Sequence, residues 1–322
     1  MLALVSAACQ SRSLDAGKDV PHGLLPVDER NPVILSNDGT GNWYGLYAVL
    51  FSNAGGPPLA GIAVNASTYA TSLDDNLALW DELVTAAQAS GMRGIPDPIG
   101  SLGPPLVRPA SGDIDETLAN GSDGARLIVD VSERLATPIR PVVVAVGGRL
   151  TDVADAYLLD HGVADRVVVT AALGAASPSG GVMGAPNGEL DPWADWIVTQ
   201  HFRYVQVSTY YDATLDLPSS ELTNLPKNPL GELVGRLQPN ITNVPTENDQ
   251  VAILSVGLPD FVVAAEPVER DPVLTFDPNT GPELVPASGG RAWLVTEIDQ
   301  NVAGARLRQM LRDPRTFGGK AQ

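Results

Sequence analysis

Asp38 is the residue whose type and position first suggest chemistry in this chain. It is the single carboxylate in the polar loop Ser36–Trp43 (SNDGTGNW), which follows the apolar run Val33–Leu35 and precedes residues at helical spacing. In an open parallel sheet such a loop lies at the carboxyl end of its strand, where these folds bind ligands. A carboxylate there brings negative charge and proton-accepting oxygens to a ligand. The alternative is structural, because Asp38 and Asn42 belong to residue types that also build turns and cap helices.

Three later segments also join a strand or loop to a helix. Gly147–Ala154 (GGRLTDVA) follows the apolar run Pro141–Val146, and Thr246–Ile253 (TENDQVAI) contains a helix that begins at a carboxylate. Asp191 followed by Pro192 is typical of a helix start, with aspartate as the N-cap and proline at the first helical position. The glycine pair is only a weak indication of a dinucleotide-binding fold, because the G-x-G-x-x-G spacing is incomplete.

Taken in order, these segments resemble the nucleoside hydrolases, the inosine-uridine-preferring N-ribohydrolase superfamily. SNDGTGNW is similar to the family's D-x-D-P-G-x-D-D loop, and GGRLTDVA is similar to its T-G-P-L-T-N-I-A. Gly174–Gln200 resembles the family's glycine-rich loop, E-F-N-x-x-x-D-P-x-A-A and helix, and TENDQVA resembles its H-D-x-x-A. The resemblance extends over residues 31–315, and it rests on the order of the loops.

The resemblance implies a calcium site and a catalytic base. Asp38 matches the aspartate that the family uses both as a metal ligand and as the base that activates water. Gly147 matches the residue whose main-chain carbonyl binds calcium, and Asp249 matches the aspartate that closes the calcium shell. The other carboxylates of the first loop are absent here, so we expect weaker Ca²⁺ binding than is usual in the family.

The resemblance also implies the residues that bind substrate. Strand alignment places Thr68 where the family has a ribose-binding asparagine, with Asn65 as the nearby amide, and Asn187 matches the asparagine that binds the ribose 5′ hydroxyl. Asn42 stands at a loop aspartate and offers a neutral oxygen. Asn248 replaces the histidine that serves the leaving base in purine-preferring members.

The activity that follows is hydrolysis of the N-glycosidic bond of a ribonucleoside or related N-riboside by metal-activated water. The leaving base lacks an evident acid, because Asn248 cannot donate a proton and all three histidines fall outside the site loops. Tyr210 and Tyr211 are candidates for that role. The competing hypothesis is a nucleoside- or sugar-binding protein of the same fold that has lost turnover.

The elements that would position these residues are those of an α/β fold. Apolar runs rich in β-branched residues, such as Pro141–Val146 and Arg166–Ala171, are typical of strands buried on both faces and alternate with helical periodicity. They predict a mostly parallel central sheet flanked by helices, with the site at the carboxyl ends of the strands. We expect residues 31–322 to form a single domain. The Pro- and Gly-rich stretch Gly91–Ala119 predicts an irregular surface loop.

Composition limits the partners. The formal net charge of −18 argues against binding of nucleic acid or an anionic membrane, which requires clustered Lys and Arg. A small neutral molecule or a cation is the easier partner. Cys9 is the only cysteine, which excludes an intramolecular disulfide and any multi-cysteine metal site. Homo-oligomer formation is left open.

The amino-terminal segment Met1–Cys9 (MLALVSAAC) resembles a bacterial lipoprotein signal, with small residues before Cys9. It lacks a preceding basic segment, and Ser6 stands where a leucine is usual. We expect residues 1–30 to be the remnant of an export signal and a polar tether, with Cys9 as the point of lipid attachment. An exported, membrane-anchored protein follows from this interpretation, and a cytoplasmic protein from the alternative that the segment is an apolar tail.

Overall fold

A computed structural model describes the chain over residues 27–38, 46–68, 70–101, 103–172, 174, 186–207, 217–222, 224–237, 243–244, 256, 262–271, 276–279, 281–289 and 291–318. None of the helices in these ranges is long and apolar enough to cross a lipid bilayer.

Strands and helices alternate along most of the chain. The strands are β1 Val33–Asn37, β2 Leu59–Val64, β3 Pro98–Gly100, β4 Val142–Val146, β5 Val167–Ala172, β6 Arg203–Val207, β7 Leu217–Pro218, β8 Asn243–Val244, β9 Val262–Arg270, β10 Leu284–Pro286 and β11 Ala292–Ile298. The helices are α1 Leu46–Asn53, α2 Leu73–Ala89, α3 Asp123–Leu135, α4 Thr151–Leu159, α5 Val163–Arg166, α6 Pro186–Glu189, α7 Pro192–His201, α8 Pro229–Leu237 and α9 Gln300–Arg312.

The strands form a nine-stranded sheet in the order β10-β9-β11-β6-β5-β4-β1-β2-β3. The seven strands from β11 to β3 in that order are parallel to one another, and only β9 runs antiparallel to its neighbours. Strands β7 and β8 form a separate antiparallel pair. The prediction of an α/β fold with a mostly parallel central sheet flanked by helices is confirmed.

The direction of winding changes between β1 and β4. From β1 the chain continues outward through β2 and β3, and it then returns to place β4 on the other side of β1. In open α/β sheets this change leaves a crevice outside the carboxyl ends of the two strands, where ligands bind. The loops after β1 and β4 therefore meet at the natural site of the fold.

Helices cover both faces of the sheet, which explains why its central strands β1, β4 and β5 are buried and mostly apolar. In β1, Val33 and Leu35 point into a hydrophobic cluster with α1, α2, α8 and α9. Ile34, between them, points into a second cluster with α3, α4 and α7. Every residue of β1, β4 and β5 is buried, as expected for parallel strands enclosed by helices.

Two parts of the sheet differ from the sequence-based expectation. Within Gly91–Ala119 the structure contains β3 and a short 3-10 helix at Ile114–Glu116, so this stretch is not wholly irregular. Strand β3 is three residues long, too short to show periodicity. It begins with Pro98 on the sheet edge, where the missing amide hydrogen costs no sheet hydrogen bond.

The antiparallel edge formed by β9 and β10 was not predicted. Strand β9 contains Pro267, which pairs with Trp293 of β11. A proline within an apolar run argues against an internal strand, so the local pattern gave the wrong indication. The long pairing of β9 with β11 outweighs that local preference.

Candidate functional site

Asp38 lies directly after β1 at the crevice, and only 7% of its surface is exposed. Burial raises the pKa of this carboxyl above its usual value, because desolvation disfavours the charged form. A hydrogen bond from the Ser67 hydroxyl and the positive charge of Arg149 oppose that rise. Asp38 is therefore a carboxyl with a raised pKa and a neighbouring cation, which is the setting of a proton acceptor.

Gly148, after β4, lies close to Asp38 and Asn65. A β-carbon at Gly148 would lie 3.1 Å from the Asp38 Cγ, 3.1 Å from the Asp38 amide nitrogen and 3.0 Å from the Asn65 Oδ1. The second glycine of the pair thus lets the loops after β1, β2 and β4 pack together. The glycine pair is therefore explained by this close packing, and it no longer supports a dinucleotide-binding fold.

Asn65, the first residue after β2, is buried beside Asp38. Its Nδ2 lies 3.3 Å from the Ser36 Oγ and 3.5 Å from the Asp152 Oδ2. Because a carboxylate only accepts hydrogen bonds, this contact fixes the amide orientation and turns Oδ1 towards Gly148 and Asp38. That oxygen is buried and has no hydrogen-bond donor. It is an unused acceptor next to a carboxylate.

Asp152 in α4 joins the loops around the site. Its Oδ1 accepts hydrogen bonds from the Ser101 hydroxyl at 2.6 Å and the Ser122 hydroxyl at 3.1 Å. Its Oδ2 accepts from the Ser36 hydroxyl at 3.3 Å, in addition to Asn65. The ends of β1, β2 and β3 and the N-cap of α3 thus converge on one buried carboxylate, which positions Asn65.

A cleft of about 420 Å³ adjoins Asp38. The polar side chains that line it, among the residues described, are four with hydroxyl groups and one cation, namely Ser67, Thr68, Thr71, Ser101 and Arg149. Ser67 also hydrogen-bonds Asp38, so the cleft and the carboxylate share a wall. The volume is within the range of small-molecule sites.

Asn187 and Asp191 hold the neighbouring part of the same sheet edge. The Asn187 Nδ2 donates to the carbonyl oxygen of Ala172, the last residue of β5, at 2.6 Å. Asp191 caps α7 by accepting from the Ala194 amide, with Pro192 at the first helical position, as predicted. Its other oxygen accepts from the Thr151 hydroxyl at 2.6 Å and from the Leu106 amide at 2.9 Å.

The described donor set fits a hard cation in part. The Asp38 carboxylate and the unpaired Asn65 Oδ1 are oxygen ligands of the kind that Ca²⁺ prefers. Within the described ranges, no three His, Cys, Asp or Glu side chains come together as a metal-binding group. The Gly147 amide donates to the Ser36 carbonyl at 2.9 Å, which fixes this loop against β1.

The structure brings several predicted site residues to one sheet edge. Asp38, Gly147, Thr68 and Asn187 all follow the carboxyl ends of parallel strands. Thr68 is exposed at the cleft, whereas Asn65 is the buried amide beside Asp38. The predicted residues Asn42, Asn248 and Asp249 lie outside the described residues, as do Tyr210 and Tyr211.

Sequence reasoning did not assign a role to Asp152 or Arg149. Both lie in GGRLTDVA, where the family pattern has asparagine and proline, so their identities were the available signal. A polar or charged residue that departs from a motif inside a site loop indicates altered site chemistry.

The described histidines lie away from Asp38. His161 precedes β5 and His201 precedes β6, which places both at the amino-terminal edge of the sheet. Tyr157 stacks between them, with ring centroids 4.4 Å from each, and its hydroxyl lies 3.1 Å from the His201 Nδ1. Burial lowers the pKa of His201. These imidazoles belong to a packed aromatic cluster.

Comparison of the sequence with protein-family models and with curated proteins finds no match. Comparison with solved structures does. An inosine-guanosine nucleoside hydrolase is similar with a TM-score of 0.61 and 16% identity, covering 87% of this chain and 98% of that one. An inosine-uridine-preferring nucleoside hydrolase from Bacillus anthracis and a plant nucleoside hydrolase each give a TM-score of 0.58 and 14% identity, covering 88% of this chain and 99% of theirs. The resemblance predicted from the loop order is thus confirmed at the level of structure: this chain has the nucleoside hydrolase fold.

Proposed function

We propose that this protein is a nucleoside-hydrolase-like enzyme that cleaves the N-glycosidic bond of a ribonucleoside or related N-riboside. The observation that carries the proposal is the position of Asp38, buried at the change of winding between β1 and β4 and next to a cleft of small-molecule size. The three similar structures are nucleoside hydrolases, and the arrangement of this site is compatible with their reaction.

Asp38 is proposed as the general base. A water molecule gives its proton to the Asp38 carboxylate while its oxygen forms a bond to the anomeric carbon. The N-glycosidic bond breaks, and its electron pair leaves with the nucleobase. The nucleobase then takes up a proton. The position of Asp38 beside the cleft favours this role, because a general base must lie within reach of the proton that it accepts. The ribosyl group becomes oxocarbenium-like, as in other glycoside hydrolysis.

Calcium is proposed as the cofactor, with Asp38 and the Asn65 Oδ1 as two of its ligands. The Gly147 carbonyl and Asp249 remain predicted ligands. A bound divalent cation lowers the pKa of a coordinated water and holds it for attack. Asn65 is kept in the required orientation by Asp152 and Ser36.

A binding protein without turnover is the second candidate. It is favoured by the distance of the described histidines from Asp38, since His161 and His201 lie at the opposite edge of the sheet. Without a positioned acid to protonate the leaving nucleobase, the reaction lacks a rate acceleration that is typically about 10²- to 10⁴-fold.

The deciding experiment measures release of reducing sugar from a panel of nucleosides, with and without calcium. We expect Asp38→Asn to lower the rate by at least about 100-fold, because the base is lost. Asp249→Asn should weaken calcium dependence and be partly rescued by excess calcium. Asp130→Asn, at an exposed position of α3, is the matched control. Equal release by wild type and Asp38→Asn would reject the mechanism, and ligand binding without release would support the binding protein.

A further inference from the structure

Among the described residues, one charged side chain lines the cleft beside Asp38. This is Arg149, which lines it together with Ser67, Thr68, Thr71 and Ser101, and no described Asp or Glu lines it. The whole chain carries a net charge of −18. The positive charge of Arg149 in this cleft is therefore a local feature and not part of a generally basic surface.

Arg149 has few protein partners for a partly buried charge. Its Nη2 donates to the Gly103 carbonyl at 2.8 Å, and its Nε is buried without an acceptor. No ion pair among the described residues includes it. A guanidinium has five N–H donors, and buried charges are normally paired. Within the part of the chain that the structure describes, the Gly103 carbonyl holds this side chain in place and is its one hydrogen-bond acceptor.

Two buried carboxylates lie near enough to interact electrostatically with the Arg149 guanidinium. Arg149 opposes the burial-driven rise in the pKa of both Asp38 and Asp191. Each carboxylate has its own hydrogen-bond donors, Ser67 for Asp38 and Thr151 for Asp191. Among the described residues, neither carboxylate forms an ion pair with the Arg149 guanidinium.

We propose that this cleft binds the oxyanion of a small substrate, a phosphate or a carboxylate, through the Arg149 guanidinium and the hydroxyl groups of Thr68 and Thr71. Planar guanidinium donors match such oxyanions, and these two hydroxyl groups supply further donors. Combined with the proposed function, on which this part rests, the substrate is an N-riboside that carries an anionic group. This revises the expectation, drawn from net charge, that a neutral or cationic ligand is easier: the local charge of the cleft decides.

The first test measures binding by calorimetry to wild type, with ribose, ribose 5-phosphate and inorganic phosphate as probes. We expect ribose 5-phosphate to bind more tightly than ribose. Arg149→Met should weaken ribose 5-phosphate binding on the order of 10- to 100-fold and leave ribose binding unchanged, because only the charge-assisted hydrogen bonds are lost. Equal affinities for ribose and ribose 5-phosphate in wild type would overturn the proposal.

Arg126→Met is the matched control. Arg126 also donates to a backbone carbonyl, that of Gly121 at 3.1 Å, but it is exposed and lies outside the cleft. The Arg126→Met substitution removes the same charge from the molecule and should not alter the affinity for ribose or for ribose 5-phosphate. If Arg149 only supported the loop at Gly103, Arg149→Met would weaken ribose and ribose 5-phosphate equally, which would also overturn the proposal. Arg149→Lys, which keeps the charge but not the planar fork, should show an intermediate loss and provides a variant closer to wild type in folding.

Hydrolysis assays separate this proposal from the proposed function. Inosine is compared with inosine 5′-monophosphate to test a phosphate on the sugar, and uridine with orotidine to test a carboxylate on the base. A preference for one anionic substrate that Arg149→Met abolishes supports the inference and identifies the source of the charge. Hydrolysis of neutral nucleosides that Arg149→Met does not affect supports the proposed function and rejects this inference. Arg149-dependent binding of ribose 5-phosphate without hydrolysis of any substrate supports the anion site and rejects the enzyme.

Discussion

At the scale of single residues, the site contains the Asp152 carboxylate beside a first-loop position where the family pattern has aspartate and this chain has serine. The family pattern has aspartate at the position of Ser36 and asparagine at the position of Asp152. Here the Ser36 hydroxyl contacts the Asp152 carboxylate at 3.3 Å. The two positions that differ from the family pattern are therefore neighbours in space. The carboxylate of this pair lies on α4 here, whereas the family pattern places it on β1.

This exchange predicts a specific energetic coupling. Asp152→Asn replaces a carboxylate that accepts from several buried donors, so we expect a loss of about 1–3 kcal/mol in the free energy of unfolding for each donor left unsatisfied. The double variant Ser36→Asp with Asp152→Asn restores the family arrangement and should recover part of that loss. Denaturant unfolding of both single variants and the double variant measures the coupling. Additive effects would show that the exchange is not compensatory.

Asp195 in α7 gives a pH prediction. It is completely buried, neither carboxylate oxygen has a hydrogen-bond partner, and Oδ2 lies against Gly188 and Gly281. Burial raises the pKa of Asp195 well above its usual value, and the charge of Asp191 adds to the rise. Between a pH of about 4 and the folded-state pKa, the folded state holds a proton that the unfolded state releases, so stability falls as the pH rises through this range.

Asp195→Asn removes that titration. We expect its melting temperature relative to wild type to rise as the pH of the measurement is raised above about 4, and to become constant above the folded-state pKa of Asp195. Asp130→Asn, at an exposed position, should keep a constant difference from wild type over the same range. A constant difference for Asp195→Asn as well would show that the carboxyl ionises in the unfolded and folded states alike.

At the scale of elements, the site depends on how closely the loops after β1, β2 and β4 approach one another. Gly148→Ala places a methyl group about 3 Å from Asp38 and Asn65, including the Asp38 backbone. We expect overpacking to cost about 1–3 kcal/mol and to lower the proposed activity, because both side chains must move.

Gly235→Ala is the control for this change. It lies in α8, and its nearest neighbour would be a flexible leucine side chain at 3.8 Å. We expect its melting temperature to be unchanged or slightly raised, since alanine is favoured over glycine within a helix. A Gly148→Ala variant that is as stable and as active as Gly235→Ala would contradict the close approach.

At the scale of the whole molecule, the described domain begins before residue 31. Val27 packs against the hydrophobic cluster that contains α1 and α2. The Asp28 amide donates to the Asn31 Oδ1 at 2.8 Å, and the Asn31 Nδ2 donates to the Pro141 carbonyl at 2.7 Å. Val27 and Asp28 therefore make core or hydrogen-bond contacts, although they lie within the segment that was expected to be a tether.

We propose that the amino-terminal segment is an export or lipid-anchor remnant, and deletion of residues 1–26 tests this proposal. Their deletion should leave the melting temperature unchanged. Deletion of residues 1–31 should lower it by several degrees, because the contacts of Val27 and Asn31 are lost and 1 kcal/mol corresponds to roughly 2–4 °C in a chain of moderate size. A similar fall after the shorter deletion would show that residues 1–26 pack.

The sequence by itself determined the order of strand, loop and helix, the buried parallel strands, the N-cap at Asp191 and the placement of Asp38 after β1. These features depend on hydrophobic periodicity and on contacts within one turn of chain, which neighbouring residues report directly. Only the tertiary structure decided that Asn65 is the buried amide, that Asp152 joins four loops and that Arg149 faces the cleft. Those outcomes depend on side chains that are 30 to 116 residues apart in the chain and meet only when the sheet has formed.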